Sequence, residues 1–220
     1  MTNRKISNET IRRLALYLRG LRNLHNINLS VISSHQIPLY LNISAEQFRK
    51  DLSYFGSIGK RGVGYRVDKL IQHLEKILGV DNECRLIVVG AGKLGSALIS
   101  YPGFLNFNFR VVAAFDNDPD KLGKMAKDIK IENITHIGRI VKKLNVHLAI
   151  LTVPADAAQA VAKKLVVCGI KAILNFAPVN LVFPKSIYIR NVDMATELMI
   201  LRYFSQTAVF DSKNFPVDNE

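Results

Sequence analysis

The spacing of apolar residues in this chain changes near residue 83. Before that point it is helical. Ile11, Leu14, Leu18 and Leu21 form one stripe, with Arg12, Arg13, Arg19 and Arg22 off it, and Ser7 stands where an N-cap is needed. A second helix starts after Ser33 or Ser34 and runs through Ile37, Leu39 and Leu41. It holds Pro38 in its first turn, where a missing N–H costs little. Ser44-Ala45-Glu46-Gln47 reads as a capping box that opens a third helix, ending near Gly56. Phe48, Leu52 and Phe55 make its buried stripe. Lys50, Ser53 and Tyr54 fall on the opposite arc, Gln47 and Arg49 at the edges of that arc, and Asp51 off it. From Ser57 to Val67, two short β-prone pieces flank a glycine-rich basic turn, a hairpin with Lys60 and Arg61 at its tip. Asp68 caps a fourth helix, which carries Leu70, Ile71, Leu74, Ile77 and Leu78 and stops at Gly79.

After Cys84 short apolar runs alternate with helical stretches. Strands are predicted at 84–89, 110–115, 146–152, 171–175 and 187–190, and an alanine-rich helix from Ala155 to Cys168. That alternation predicts a parallel sheet with helices on both faces. Between Lys121 and Leu144 only a weak helix stands out, near Ile137 to Leu144. A last helix follows Asp193 with a broad apolar face, which is buried either against a second subunit or on its own sheet. The fold class is therefore α/β. Residues 1–80 form a winged-helix unit, 81–190 a Rossmann-like unit, 191–207 a C-terminal helix and 208–220 a tail.

Charge sharpens this division. The chain has 220 residues and a formal net charge of +12, and residues 1–80 carry +8 of it. A polyanionic partner for the N-terminal unit follows. Its third helix offers cations, amides and hydroxyls to a major groove through Gln47, Arg49, Lys50, Ser53 and Tyr54, and its basic wing, Lys60 and Arg61, suits an A·T-rich minor groove. Cys84 and Cys168 belong to no CxxC pair and read as buried thiols in a reducing compartment. With no apolar run of membrane-spanning length and no signal-peptide core at the N-terminus, the reading is a cytoplasmic protein with no membrane partner.

The segment with the clearest chemistry is Gly90-Ala91-Gly92-Lys93-Leu94-Gly95. It follows the run Leu86-Ile87-Val88-Val89 and opens a helix, and Asp116 lies 21 residues beyond Gly95 at the end of the next apolar run. Strand, glycine turn, helix, strand and acid make up a dinucleotide-binding arrangement. Gly90 allows the tight turn, Gly92 lets the backbone approach a pyrophosphate, and Gly95 lets helix and strand pack closely. Asp116 accepts the ribose hydroxyls and repels a 2′-phosphate, so NAD(H) is preferred over NADP(H). Two further loops fall at strand carboxyl ends, Thr152-Val153-Pro154 and Asn175-Phe176-Ala177-Pro178. Both are mostly apolar and lack an acid to pair with a charged nicotinamide, so NADH is favoured and NAD+ competes.

Enzymatic hydride transfer is the competing class. It needs a proton donor beside the hydride. None of the five histidines stands in such a setting, and no Tyr-x-x-x-Lys pair follows the glycines. No catalytic residue and no metal ligand is assigned. The alternative kept open is an NAD-dependent oxidoreductase with a basic N-terminal appendage.

Several runs together resemble the Rex family of redox-sensing transcriptional repressors over residues 5–207. They are Phe48-Arg49-Lys50-Asp51-Leu52-Ser53-Tyr54-Phe55-Gly56, Arg61-Gly62-Val63-Gly64-Tyr65, Gly95-Ser96-Ala97-Leu98, Tyr101-Pro102-Gly103-Phe104 and Leu174-Asn175-Phe176-Ala177-Pro178. The resemblance implies a homodimer that binds a double-stranded operator, an inverted repeat with A·T-rich flanks, and is released from it by NADH. It also implies an exchanged C-terminal helix that reaches the partner's cofactor pocket. A switch network of Tyr101, Asp193 and Arg19 is implied by motif position. Met194 stands where the family often has Phe or Leu.

Overall fold

The first helix begins as its cap demands. Ser7 Oγ accepts the Thr10 N–H at 3.1 Å, and α1 runs Asn8–Asn26. In this computed structural model the described residues are 6–33, 35–41, 43–56 and 64–207. The chain divides into two compact units. One is Met1–Cys84 with Pro102–Arg110, and the other is Arg85–Tyr101 with Val111–Glu220. The break near residue 84 matches the change in pattern. The transfer of 102–110 to the first unit does not follow from the pattern and corrects a simple division at residue 80.

The first unit is built on α1, α2 (Ile37–Leu41), α3 (Ala45–Ser53) and α4 (Val67–Leu78), with strand β1 (Val31–Ile32) paired antiparallel to β2 (Tyr65–Arg66). Leu14, Tyr17, Leu18, Leu21 and Leu24 of α1 meet Phe48 and Leu52 of α3 and Leu70 and Leu74 of α4 in one core. Two expected core positions are corrected. Ile11 is exposed because Tyr17 and Leu24 widen the buried face on the other side of the stripe, and Leu39 is exposed because one-turn α2 buries only Ile37. α2 sits so close that a Cβ on Gly20 would lie 2.0 Å from Leu41 Cδ2. A third correction concerns α4. Its N-cap is Arg66 rather than Asp68, which sits in the first turn paired to Arg66 at 2.7 Å. The expected hairpin tip, with Lys60 and Arg61, lies outside the described residues.

Pro102–Arg110 is held inside this unit by Arg22. Its guanidinium binds Glu75 at 2.6 Å, donates to the carbonyl of Asn106 and stacks over Phe107 at 4.6 Å. Phe107 and Phe109 pack on the helical core.

The second unit carries a seven-stranded sheet. In chain order its strands are β3 (Cys84–Val89), β4 (Phe109–Asp116), β5 (Met125–Ala126), β6 (Ile129–Asn133), β7 (Leu148–Leu151), β8 (Ala172–Asn175) and β9 (Tyr188–Asn191). Their spatial order is β5-β6-β4-β3-β7-β8-β9. β4 pairs parallel to β6, β3 to β7, β7 to β8 and β8 to β9. β5 pairs antiparallel to β6 and closes one edge. Without β5 this is the doubly wound order that reverses direction beside its first strand. β5 and β6 correct the reading of 121–144, which had found no strand. Ile129 and Ile131 do alternate with Lys130 and Glu132, but over too short a run to stand out among lysines. The expected helix at Ile137–Leu144 is present as α6. It packs with α7 (Ala155–Val167), whose Ala158 and Ala162 are fully buried against the sheet core. α5 (Lys93–Ile99) follows β3, and α8 (Met194–Thr207) follows β9. Every residue of α8 from Met194 to Gln206 is exposed, so burial on its own sheet is excluded.

One acid dominates the first core. The Asp51 side chain is 1% exposed. Oδ2 accepts from Arg13 Nε at 2.6 Å and Tyr17 hydroxyl at 2.8 Å, and Oδ1 from Arg13 Nη2 at 2.7 Å and Gln47 Nε2 at 2.8 Å. Burial pushes its pKa up, but the bonds from Arg13, Tyr17 and Gln47 outweigh that and hold it below the usual carboxylate range. Asp51→Ala should therefore destabilise the fold by about 3 kcal/mol, the lower end for breaking a buried pair because Arg13 keeps some water. A depressed folded pKa gives stability that is full above the unfolded value of about 3.9 and drains as pH falls through the folded one. Thermal melts from pH 7 to pH 3 check both points. Asp51→Asn should melt lower at pH 7 and lose less below pH 4 than the wild type.

Candidate nucleotide and nucleic-acid sites

The glycine turn lies at the carboxyl end of β3, between β4 and β7, where the strand order reverses. Ligands of open α/β sheets bind in that crevice. Gly90 has φ +97°, and a Cβ there would stand 2.7 Å from the Thr152 carbonyl group. A Cβ on Gly95 would stand 1.8 Å from the Gly90 carbonyl oxygen. At Gly92 nothing lies within 4 Å. Two glycines are thus required by the protein's own packing, while the third opens on free space at the N-cap of α5. The first-turn amides of α5, from Lys93 onward, have no carbonyl partner within the helix and carry the positive end of its dipole. Open space beside unsatisfied amides fits a pyrophosphate.

Three side chains expected at the cofactor also shape this crevice. Asp116 is 7% exposed, and protein donors fill its oxygens. Oδ2 accepts from the Ala91 N–H at 2.7 Å and Lys121 Nζ at 3.2 Å, and Oδ1 from the N–H groups of Asn117 and Asp118 at 2.8 and 2.9 Å. Burial raises its pKa, but those amides and Lys121 outweigh it and hold the carboxyl below its usual range. Ala91 cannot offer its N–H to a phosphate, since Asp116 holds it. Thr152 donates its hydroxyl to the Gly90 carbonyl at 2.7 Å, pinning the end of β7 to the turn. Asn175 is fully buried. It accepts from the Ala177 N–H at 3.0 Å and donates to the carbonyls of Ala177 and Val179 and to Asn191 Oδ1, fixing the loop that carries Phe176, Ala177 and Pro178. Lys93, Leu94, Pro154 and Pro178 are exposed, and Val153 and Phe176 half-buried. Sequence reasoning missed Asp118 and Lys121. The Asp118 carboxylate is 40% exposed and lies 3.2 Å from Lys121. The second acid of Asp116-Asn117-Asp118 was the available signal.

In the first unit, Arg49, Lys50, Ser53 and Tyr54 stand exposed along α3, as their arc predicts. The Ser53 hydroxyl donates to the Lys50 carbonyl at 2.7 Å, so toward a ligand it can only accept. Only half of the expected capping box forms. Ser44 Oγ accepts the Gln47 N–H at 3.1 Å, but the Gln47 side chain reaches forward to Asp51 instead of back to Ser44. Of the expected switch residues, Arg19 is exposed on α1 and Tyr101 is exposed just after α5. Asp193 caps α8, accepting from the N–H groups of Ala195 and Thr196 and from the Thr196 hydroxyl at 2.7 Å. The Thr196 hydroxyl does most to hold its pKa low. Among the described residues no helix is long and apolar enough to cross a membrane.

Comparison with known proteins addresses both units. The family model "CoA binding domain" matches residues 81–179, and the model "Putative DNA-binding protein N-terminus" matches 5–53. The chain is 43% identical over 199 residues to the redox-sensing transcriptional repressor Rex of Desulforamulus reducens, covering 90% of this chain and 95% of that one. It is 44% identical over 199 residues to the Rex of Carboxydothermus hydrogenoformans, covering 90% and 96%. Among solved structures it is similar to RSP in complex with β-NAD+ and operator DNA, with TM-score 0.87 and 34% identity over 93% of this chain and 94% of that one. It is also similar to RSP in complex with β-NADH, with TM-score 0.83 and 33% identity over 93% and 96%.

The three glycines should separate packing from binding. Gly95→Ala forces a methyl into backbone and should destabilise by about 1–3 kcal/mol. Gly92→Ala should melt like the wild type yet lose most NADH binding, because its methyl occupies only the open space. Melting curves and NADH fluorescence titration check the pair, and normal affinity in Gly92→Ala would remove the turn from the nucleotide site.

Proposed function

Since the chain belongs to the Rex family of redox-sensing transcriptional repressors, we propose that it binds an operator as a homodimer through α3 and lets the operator go when NADH is bound at the glycine turn. Promoter occupancy in the cytoplasm then follows the NADH-to-NAD+ ratio. The observation that carries this reading is the pairing, within one chain, of a helix bearing exposed Arg49 and Lys50 with a turn whose Gly92 opens on free space.

The homodimer reading is supported by α8, which exposes Leu198, Met199, Leu201, Tyr203 and Phe204 together. A second copy covers this helix, and twofold symmetry then calls for an inverted repeat with half-sites about 34 Å apart. A·T-rich flanks suit the basic pair Lys60-Arg61 in the sequence. At the ribose end, Asp116 keeps the turn in shape, and exposed Asp118 supplies the carboxylate that accepts the hydroxyls and repels a 2′-phosphate. The apolar loops after β7 and β8 favour the neutral reduced ring over the charged oxidised one. Tyr101, Arg19 and Asp193 form the switch, with Asp193 placed by its cap at the start of the helix that the partner subunit covers.

NADH can release DNA only by binding the release state more tightly, so operator DNA must weaken NADH binding by the same factor. NADH titrations with and without saturating operator check this; equal affinities would show that the sites are uncoupled. Steady hydride transfer to a small carbonyl compound would favour the oxidoreductase alternative.

Single substitutions should divide the parts. Lys50→Ala or Arg49→Ala should lower operator affinity by about 1–3 kcal/mol with NADH affinity unchanged. Leu201→Glu should give a monomer by light scattering and abolish tight operator binding. Asp193→Ala should stay dimeric but respond weakly to NADH, and Tyr101→Phe should do so less severely.

A further inference from the structure

A side-chain amide on α3 is held by a buried acid. Gln47 gives one N–H of its side chain to Asp51 Oδ1 at 2.8 Å, and no other side-chain bond to Gln47 occurs among the described residues. Asp51 cannot swing away to free it. Its side chain is 1% exposed and its two oxygens also hold Arg13 Nε, Arg13 Nη2 and the Tyr17 hydroxyl at 2.6, 2.7 and 2.8 Å. Nor can the amide turn over. An ionised carboxylate only accepts, so the nitrogen of Gln47 must face Asp51. The remaining N–H and the carbonyl oxygen are left as a donor beside an acceptor, with exposed Lys50 and Arg49 on the same helix.

We propose that Asp51 is a positioning residue that orients Gln47 to read an adenine in each half-site. A fixed donor–acceptor pair matches the N7 acceptor and N6 amino donor of adenine in the major groove, and it mismatches guanine, which offers two acceptors there. The lock also lowers the entropy lost on binding, because a long side chain is already ordered. This inference rests on α3 being the DNA-reading helix and goes further in naming the base and the group that fixes its reader.

The test selects operators from a random duplex pool with the wild type, Gln47→Ala and Asp51→Asn, then measures affinity for single-position variants of the wild-type operator. The wild type should lose about 5- to 150-fold when one particular A·T pair per half-site becomes G·C, or when that adenine becomes 7-deazaadenine. Gln47→Ala should be indifferent at that pair and keep its preferences elsewhere. Asp51→Asn, which donates as well as accepts, should lose discrimination at the same pair while keeping its preferences at the other positions, which also reports that the first unit is folded. A Gln47→Ala profile identical to that of the wild type overturns the inference and leaves the repressor reading intact. Failure of the wild type to select any sequence overturns both.

Discussion

The carbonyl oxygen of Gly90 leaves no room for a side chain at position 95, where a methyl carbon would stand only 1.8 Å away. This contact between a strand end and the helix that follows it sets the mouth of the whole sheet. The same oxygen takes the Thr152 hydroxyl from β7, and the next residue, Ala91, gives its N–H to Asp116 at the end of β4. Three strand ends are therefore tied to one turn of backbone. The crevice at the strand reversal exists because these ties keep the turn tight and leave Gly92 as its open point.

The two buried acids follow one logic in two places. Asp51 and Asp116 each sit where desolvation works against the charged form. Each stays ionised because several donors converge on both oxygens. A carboxylate so enclosed has little capacity left for a ligand. It works by fixing the groups that do face outward, α3 in one case and the glycine turn in the other. Binding then proceeds on parts already in place, which reduces the ordering that a ligand must impose.

Much of this was legible in the sequence. The change from helical to alternating period marked the break near residue 84, and the glycine spacing with its flanking strands pointed to the tight turn that lies at the strand reversal. The exposed arc of α3 also stood as its spacing required. What the spacing could not reveal was direction within a side chain. Asp116, expected to face ribose, also holds its own turn, through amides of Ala91, Asn117 and Asp118 that come from backbone that periodicity does not describe. Gln47 was expected to complete a cap and instead reaches Asp51, a partner whose burial depends on Arg13 and Tyr17 more than thirty residues earlier. β5 and β6 escaped notice because two short pieces rich in lysine carry little alternation.

Arg22 gives the chain a further property. By gripping Asn106 and Phe107 it incorporates a stretch from the middle of the nucleotide-binding sequence into the core of the helical unit. The helical unit is thus not a contiguous piece of sequence, and neither unit can be cut out at a single point. A chain beginning after residue 80 would carry Phe107 and Phe109 stripped of the helices that cover them, and the first 80 residues alone would lack part of their own core. An exchange at one crossover would split the core of the helical unit. Moving a unit whole needs two coordinated cuts, which binds the inheritance of the two units together.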